Sequence, residues 1–465
     1  MCIRDSHSTR GNDFGRTFEE VLMQGLAKDG GLFMPDFWPK VDIEKLRTKT
    51  TFTEIAKEIV PLFTSSSFNK DEVIKILDTT WHDFSNEDIA PLKYLDGDNA
   101  ILELFHGPTA AFKDFGLQLA AAFFNEVLIK NNKTAIVLGA TSGDTGSAAI
   151  DACKRFKSIR TFILIPDGNM SEIQRRQMTT IDEENVFTLR IKGTFDDCQD
   201  IVKEAFNERS FLKDDQYLLA VNSINWVRII GQICYYFYAS LKFSNLEKPI
   251  NFSVPTGNFG NVFACYAAHK MGLPLDKIIV SVNKNDILDR FFSNNDYSRN
   301  TVNETVSPSM DISIASNFER LIYDFYCNRD ANICKALYSN FPNDSIILSE
   351  NEWEKSKDLF LSYSVDDAST ITAIKNIYSS FNYLIDPHTA VASEAVTKLS
   401  SALESKTIIL ATAHPAKFPD SIAEAGLTIE DMPEKLSSVY NDKERAIKLD
   451  ADKDIIFNFI SNNNF

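Results

Sequence analysis

A single lysine, Lys113, stands in the run ELFHGPTAAFKDFG (residues 103–116), among small, aromatic and turn-forming residues. Its nearest neighbours of the same type are Lys93 and Lys130. A surface lysine needs no such surroundings, and a core has no use for an uncompensated ammonium. Two runs further on carry the opposite kind of chemistry. AIVLGATSGDTGSAA (135–149) has glycines at 139, 143 and 146, and FSVPTGNFGNVFACYAA (252–268) has Gly257 and Gly260. Each passes from an apolar, strand-like stretch through a glycine turn into a helical pattern. Such a turn offers free N–H groups and the positive end of a helix dipole, which suits an anion.

Neither loop has the spacing of a dinucleotide fingerprint or the Gly-Lys-Ser/Thr ending of a P-loop. In GNFGN the donors would be backbone N–H groups, with glycine allowing close approach, so a small phosphate fits best. TSGDTG clusters the hydroxyls of Thr141, Ser142 and Thr145, an array for a carboxylate or phosphate. Asp144 does not suit an anion and is expected to face a cation or hydroxyl. Either loop alone reads equally well as an ordinary βα turn; the pair, together with Lys113, points to a site. A lysine at a helix N-terminus gives up its proton more easily, and a neutral amine condenses with an aldehyde. An aldehyde cofactor with a phosphate handle is pyridoxal 5'-phosphate.

The elements that must position these groups are legible in the pattern. Residues 14–95 read mostly as helix, with TFEEVLMQGLAKDGGLFMP ending at the Gly30–Gly31 pair and two more amphipathic helices in FTEIAKEIVPLF and DEVIKILDTTWHDF. From about residue 98, short apolar runs alternate with helical ones, a βαβ texture that predicts parallel sheets covered on both faces. The expected division is a mostly helical segment at 1–95, a smaller α/β domain at 96–215 with Lys113 and TSGDTG, and a larger α/β domain at 216–465 with GNFGN and C-terminal helices. Residues 291–350 are polar and are expected as loops and helices at an edge. The charged tail from 440 reads as an exposed stretch closing on a short helix.

Composition sets limits on function. The 465 residues are 44% hydrophobic and carry a net charge of −17. A large core is affordable, whereas broad nucleic-acid or anionic-membrane binding is disfavoured. No apolar run reaches the ~20 residues of a membrane span, and the N-terminus has neither a signal core nor a transit pattern. Residues 1–6 carry no pattern that bears on the fold. Seven cysteines without a Cys-x-x-Cys pair read as reduced thiols in a cytoplasmic protein, and six scattered histidines give no metal motif.

The order and length of several stretches carry a family resemblance. STRG, GLAKDGGLFMP, FHGPTAAFKDFG, ATSGDTGSAA, NSINWVRIIGQICYYF, PTGNFGN, DPHTAVA and TAHPAKF span nearly the whole chain. They resemble the threonine synthases, fold-type II pyridoxal-phosphate enzymes related to the tryptophan synthase β chain. The helical N-terminal segment and the length look like the bacterial and fungal type. The resemblance implies two three-layer αβα domains with parallel sheets. It implies that Lys113 forms the Schiff base and moves protons, with Phe112 packing near the cofactor ring. Gly257, Asn258, Phe259, Gly260 and Asn261 would cradle the cofactor phosphate, and Thr412 would bond the pyridine nitrogen. Ser142, Gly143, Asp144 and Thr145 would face the substrate carboxylate and the cofactor's phenolic oxygen. Ser223, Asn225 and Arg228, with Thr145, would hold a substrate phosphate. The implied reaction turns O-phospho-L-homoserine and water into L-threonine and phosphate, in a monomer or homodimer. Its rivals are another fold-type II lyase, such as a threonine dehydratase or phospho-lyase, and a non-catalytic binder of phosphorylated ligands. His106 and His388 read as structural, Asp114 as a cap, His414 as structural or as support for Thr412, and CYYFY as a buried helix face.

Overall fold

The computed structural model describes residues 6–141, 143–168, 170–220, 222–430 and 432–465. Two sheets organise it. The six-stranded sheet runs in the order Phe360–Ser364, Leu275–Val282, Ile250–Pro255, Thr407–Ala411, Asn99–Glu103, Leu92–Tyr94. All its pairs are parallel except the last, which is antiparallel. The five-stranded sheet is parallel throughout, in the order Ile447–Asp450, Val186–Lys192, Ile159–Pro166, Thr134–Ala140, Gln216–Ala220. The central strands are buried along nearly their whole length, as parallel strands flanked by helices must be. The expected α/β class with parallel sheets is what the chain forms.

The sheets do not follow the boundaries expected at 96 and 216. Asn99–Glu103 pairs with Thr407–Ala411 in the six-stranded sheet, while Gln216–Ala220 completes the five-stranded one. Local alternation reveals strands, but pairing between residues 308 positions apart, as Asn99 and Thr407 are, depends on burial that no local window contains. The tail is likewise more than an exposed stretch. Ile447–Asp450 is an edge strand, and the helix Lys453–Asn462 buries Ile456, Phe457 and Ile460 against the five-stranded sheet. Near the N-terminus the helix stops earlier than expected. It spans Phe18–Gln24 and ends at Gly25 with φ 69°, and Phe33–Pro35 then pairs as a strand with Ser6–Ser8. The later glycine pair is a turn, because a strand rather than a helix follows.

Two long helices bring the site together. Lys113–Asn131 and Trp226–Ser244 are buried over most of their lengths and pack on each other. They meet at glycines. A Cβ on Gly116 would stand 2.7 Å from the carbonyl oxygen of Arg228, and one on Gly231 would stand 3.0 Å from that of Phe115. Gly116 lies one turn beyond Lys113, so this contact sets the spacing of Lys113 and Arg228. Gly116→Ala forces the helices apart at that point. It is expected to destabilise the protein by about 1–3 kcal/mol, the usual penalty of overpacking, despite alanine's better helix propensity. Thermal unfolding checks the direction; an unchanged or raised midpoint would show that the crossing is slack.

Candidate active site

Strand ends from both sheets converge on Lys113. Asn99–Glu103 leads to it, Thr407–Ala411 ends at Thr412, Ile250–Pro255 ends at the GNFGN loop and Thr134–Ala140 at the TSGDTG loop. This is where ligands of open parallel sheets bind. An isolated bridge between Ala111 and Ala413, and a bond from the Phe112 N–H to the Thr412 carbonyl (2.9 Å), tie the Lys113 turn to the end of the central strand. One cavity receives Phe112, Lys113, Thr145, Ser223, Arg228 and Thr412, together with Thr256, Gly257, Asn258, Gly260 and Asn261 of the glycine loop.

Lys113 is the first residue of its helix, and its side chain is 13% exposed, toward the cavity. Its Nζ lies 3.2 Å from Asp144 Oδ2. Asp144 does face cations, as its position in TSGDTG suggests, but there are two of them. Lys417 Nζ is 2.7 Å from Asp144 Oδ1 and also donates to the Thr109 carbonyl at 2.8 Å. Gln174 Nε2 donates to Oδ1 (2.9 Å) and Ser309 Oγ to Oδ2 (3.1 Å). Burial alone would raise the Asp144 pKa, yet the two ammoniums hold it well below the usual carboxylate range. Burial lowers the Lys113 pKa; Asp144 opposes this, while the charges of Lys417 and Arg228 add to it. The amine is therefore paired, but it holds its proton weakly.

The glycine loop opens the helix Gly260–Lys270, whose first N–H groups have no intrahelical partner. Gly257 is closely packed: a Cβ there would stand 3.1 Å from Met310 Cα, so a larger residue would need that backbone to give way. Asn261 is buried, and its Oδ1 accepts from the hydroxyls of Tyr235 and Tyr236, which fixes the amide so that Nδ2 is the free end. Among the described residues that Nδ2 has no partner, and neither do Arg228 Nε and Gln232 Oε1, all on residues that line the same cavity. Buried polar atoms without partners are rare, and three around one cavity call for a polar ligand. Pyridoxal phosphate requires an amine, donors for a phosphate dianion and a partner for its ring nitrogen. Lys113, the loop with Asn261, and the Thr412 hydroxyl supply these, so the residues fit the group.

Among the remaining expected residues, Arg228 is buried, and burial pulls its guanidinium down to about 10. Its Nη1 donates to the Asn222 carbonyl (2.6 Å), and Ser223 lines the cavity beside it. Asn225 does not reach the cavity. Its side chain caps the Trp226 helix at the Val227 N–H and donates to the Leu22 carbonyl. The sequence places Asn225 close to Arg228, but its amide is taken up by the helix cap at Val227 and by the Leu22 carbonyl. Phe259 also turns away. Its N–H bonds Thr256 Oγ1 (3.1 Å), and its ring packs edge-on against Phe318. Gly143 is a turn residue with its N–H on Thr141 Oγ1, and Ser142 lies outside the described residues. Asp114 accepts from the Thr109 N–H and hydroxyl, a turn-closing role, and burial pushes it up to about 7. His106 pairs with Glu103 (2.6 Å), and His414 caps the following turn at Ala416. His388 lines the cavity, pairs with Asp386 and accepts from the Ser309 N–H. Ser309 and Met310 belong to the polar stretch expected at an edge, yet they press onto the site.

Known proteins resemble the chain along nearly its whole length. A family model described as pyridoxal-phosphate dependent enzyme matches residues 100–333. Models described as threonine synthase N terminus and threonine synthase, C-terminal, match 6–81 and 389–460. A threonine synthase from Pseudomonas aeruginosa is 42% identical over 445 residues, 95% of each chain. The chain belongs to the threonine synthase family. The Saccharomyces cerevisiae threonine synthase is 41% identical over 88% of this chain and 86% of its own. The crystal structure of pyridoxal phosphate-bound threonine synthase from Brucella melitensis superposes with a TM-score of 0.94 at 36% identity, covering 99% of both chains. Family membership makes the fold that of a fold-type II enzyme, with pyridoxal phosphate as its cofactor.

Proposed function

We propose that the cavity at Lys113 is where the threonine synthase reaction takes place, with roles divided among this chain's residues as follows. The reaction converts O-phospho-L-homoserine and water into L-threonine and phosphate. Bound pyridoxal phosphate supplies an electron sink for a carbanion at Cα and then at Cβ. Gly257, Asn258, Gly260 and Asn261 hold its phosphate with backbone N–H groups and the free Nδ2, and Thr412 holds the ring nitrogen with a neutral hydroxyl. Lys113 attaches to its aldehyde and afterwards moves protons at the substrate's carbons. Arg228, Ser223 and Thr145 hold the substrate phosphate, which leaves from Cγ. A buried dianion needs fixed, charge-assisted donors, and such donors also reject substrates that lack it. The observation that carries the reading is the set of unpartnered polar atoms, Arg228 Nε and Asn261 Nδ2 above all, on the cavity that Lys113 faces.

The reading includes a cytoplasmic enzyme, monomeric or homodimeric, acting on a small molecule; the charge of −17 supports leaving nucleic acid and anionic membranes out. Purified protein given O-phospho-L-homoserine is expected to release phosphate and threonine in equal amounts. Phosphate or oxo-acid release without threonine would assign the site to a different lyase.

A further inference from the structure

Lys417 has no place in the roles above, although it is the closest cation to Asp144. Its side chain is 0% exposed against 13% for Lys113, and it does not line the cavity. It cannot be the amine that meets a ligand. A buried lysine is costly unless something requires its charge. A lone Lys113–Asp144 pair would work against the chemistry, because a buried carboxylate with one ammonium beside it keeps that ammonium protonated. We propose that Lys417 is a positioning residue that claims the Asp144 carboxylate, so that Lys113 can lose its proton and react.

The charges support this. With both lysines protonated, the three groups carry one net positive charge in a buried place, with Arg228 nearby. When Lys113 gives its proton to solvent, a neutral Lys417–Asp144 pair remains, still bonded through Gln174, Ser309 and the Thr109 carbonyl. The other ionisable groups around the cluster do not take over this role. Asp114 is turned to Thr109, His388 is held by Asp386 and Ser309, and His414 is driven down to about 4 by burial. The lowered Lys113 pKa, with Lys417 among its causes, is in line.

The inference rests on Lys113 being the reacting amine, which borohydride labelling tests separately. Full-length protein freed of cofactor is mixed with pyridoxal phosphate, and the amine displaces the aldehyde oxygen as water. The rate, followed by visible absorbance between pH 7 and 10, reports the neutral fraction of Lys113. In Lys417→Met, Asp144 keeps one cationic partner, so the Lys113 pKa rises and its neutral fraction at a given pH falls. The midpoint is expected to move up by about 1–3 pH units, roughly tenfold slower condensation at pH 8 for each unit. Lys417→Arg keeps the charge and is expected to return the midpoint toward wild type. A folded Lys417→Met protein with an unchanged midpoint would overturn the inference. Should Lys417→Met not fold, Lys417→Gln, which removes the charge but keeps an amide donor, takes its place: the same upward move upholds the inference, and an unchanged midpoint overturns it. Labelling on a residue other than Lys113 would defeat the site reading instead.

Discussion

Lys113→Ala is expected to cut threonine formation by about 10⁴-fold, the upper range for loss of a proton-transferring group. It is also expected to abolish the visible absorbance of the covalently attached cofactor. The fold should survive. Lys113 occupies the first position of its helix, where an alanine is tolerated, and Asp144 keeps Lys417, Gln174 and Ser309 as partners. Stability and chemistry therefore separate in this variant: circular dichroism and the unfolding midpoint stay near wild type while turnover collapses. A lysine with only a structural role would behave the other way, losing midpoint first and activity in proportion. An added primary amine small enough for the vacated space should restore a measurable part of the turnover.

The second large effect is expected at Arg228. Removing one member of a buried charge pair costs about 2–5 kcal/mol, much of it from leaving the partner unpaired. Arg228→Ala should therefore lower kcat/KM for O-phospho-L-homoserine by roughly 30- to 5,000-fold. Arg228→Lys keeps the charge but loses the fork of donors, so it should fall between the two. Formation of the Lys113–cofactor bond should persist in both variants, since the loop at Gly257–Asn261, proposed to hold the cofactor phosphate, is left unchanged. Steady-state kinetics and the visible spectrum together check this. Equal loss of cofactor binding and turnover would move Arg228 from the substrate to the cofactor.

Most of this site can be read from the chain because its parts are local. A glycine turn between an apolar strand and a helix is a continuous stretch, and so is a lysine at a helix start. Thr412 follows directly on the apolar run TIILA, but its expected role comes from the family resemblance and not from that pattern. The remainder depends on distance along the chain. Lys417 sits in TAHPAKF, a quoted run, but nothing in its neighbours distinguishes a fully buried lysine from an exposed one. Its partner Asp144 is 273 positions away. Ser309 and Met310 come from a polar stretch whose composition suggests only surface, yet one bonds Asp144 and the other closes on Gly257. The crossing of Gly116 with Arg228 has no local mark either, because a helical glycine matters only through what packs on it.

Two residues show the limit of sequence proximity. Asn225 and Phe259 each lie within a few positions of groups that do line the cavity, and both turn elsewhere, one to cap a helix and the other to fill a core. A position in a motif fixes the backbone path; the side chain then follows φ and the packing available. Phe259, at φ 63°, shows this most plainly.

The most direct measurement of the central claim is borohydride reduction of the enzyme loaded with pyridoxal phosphate, followed by peptide mass spectrometry. One pyridoxyl group on Lys113 is the expected result. A pyridoxyl group on Lys417, the other amine bonded to Asp144, or on any lysine outside the cavity, would contradict it.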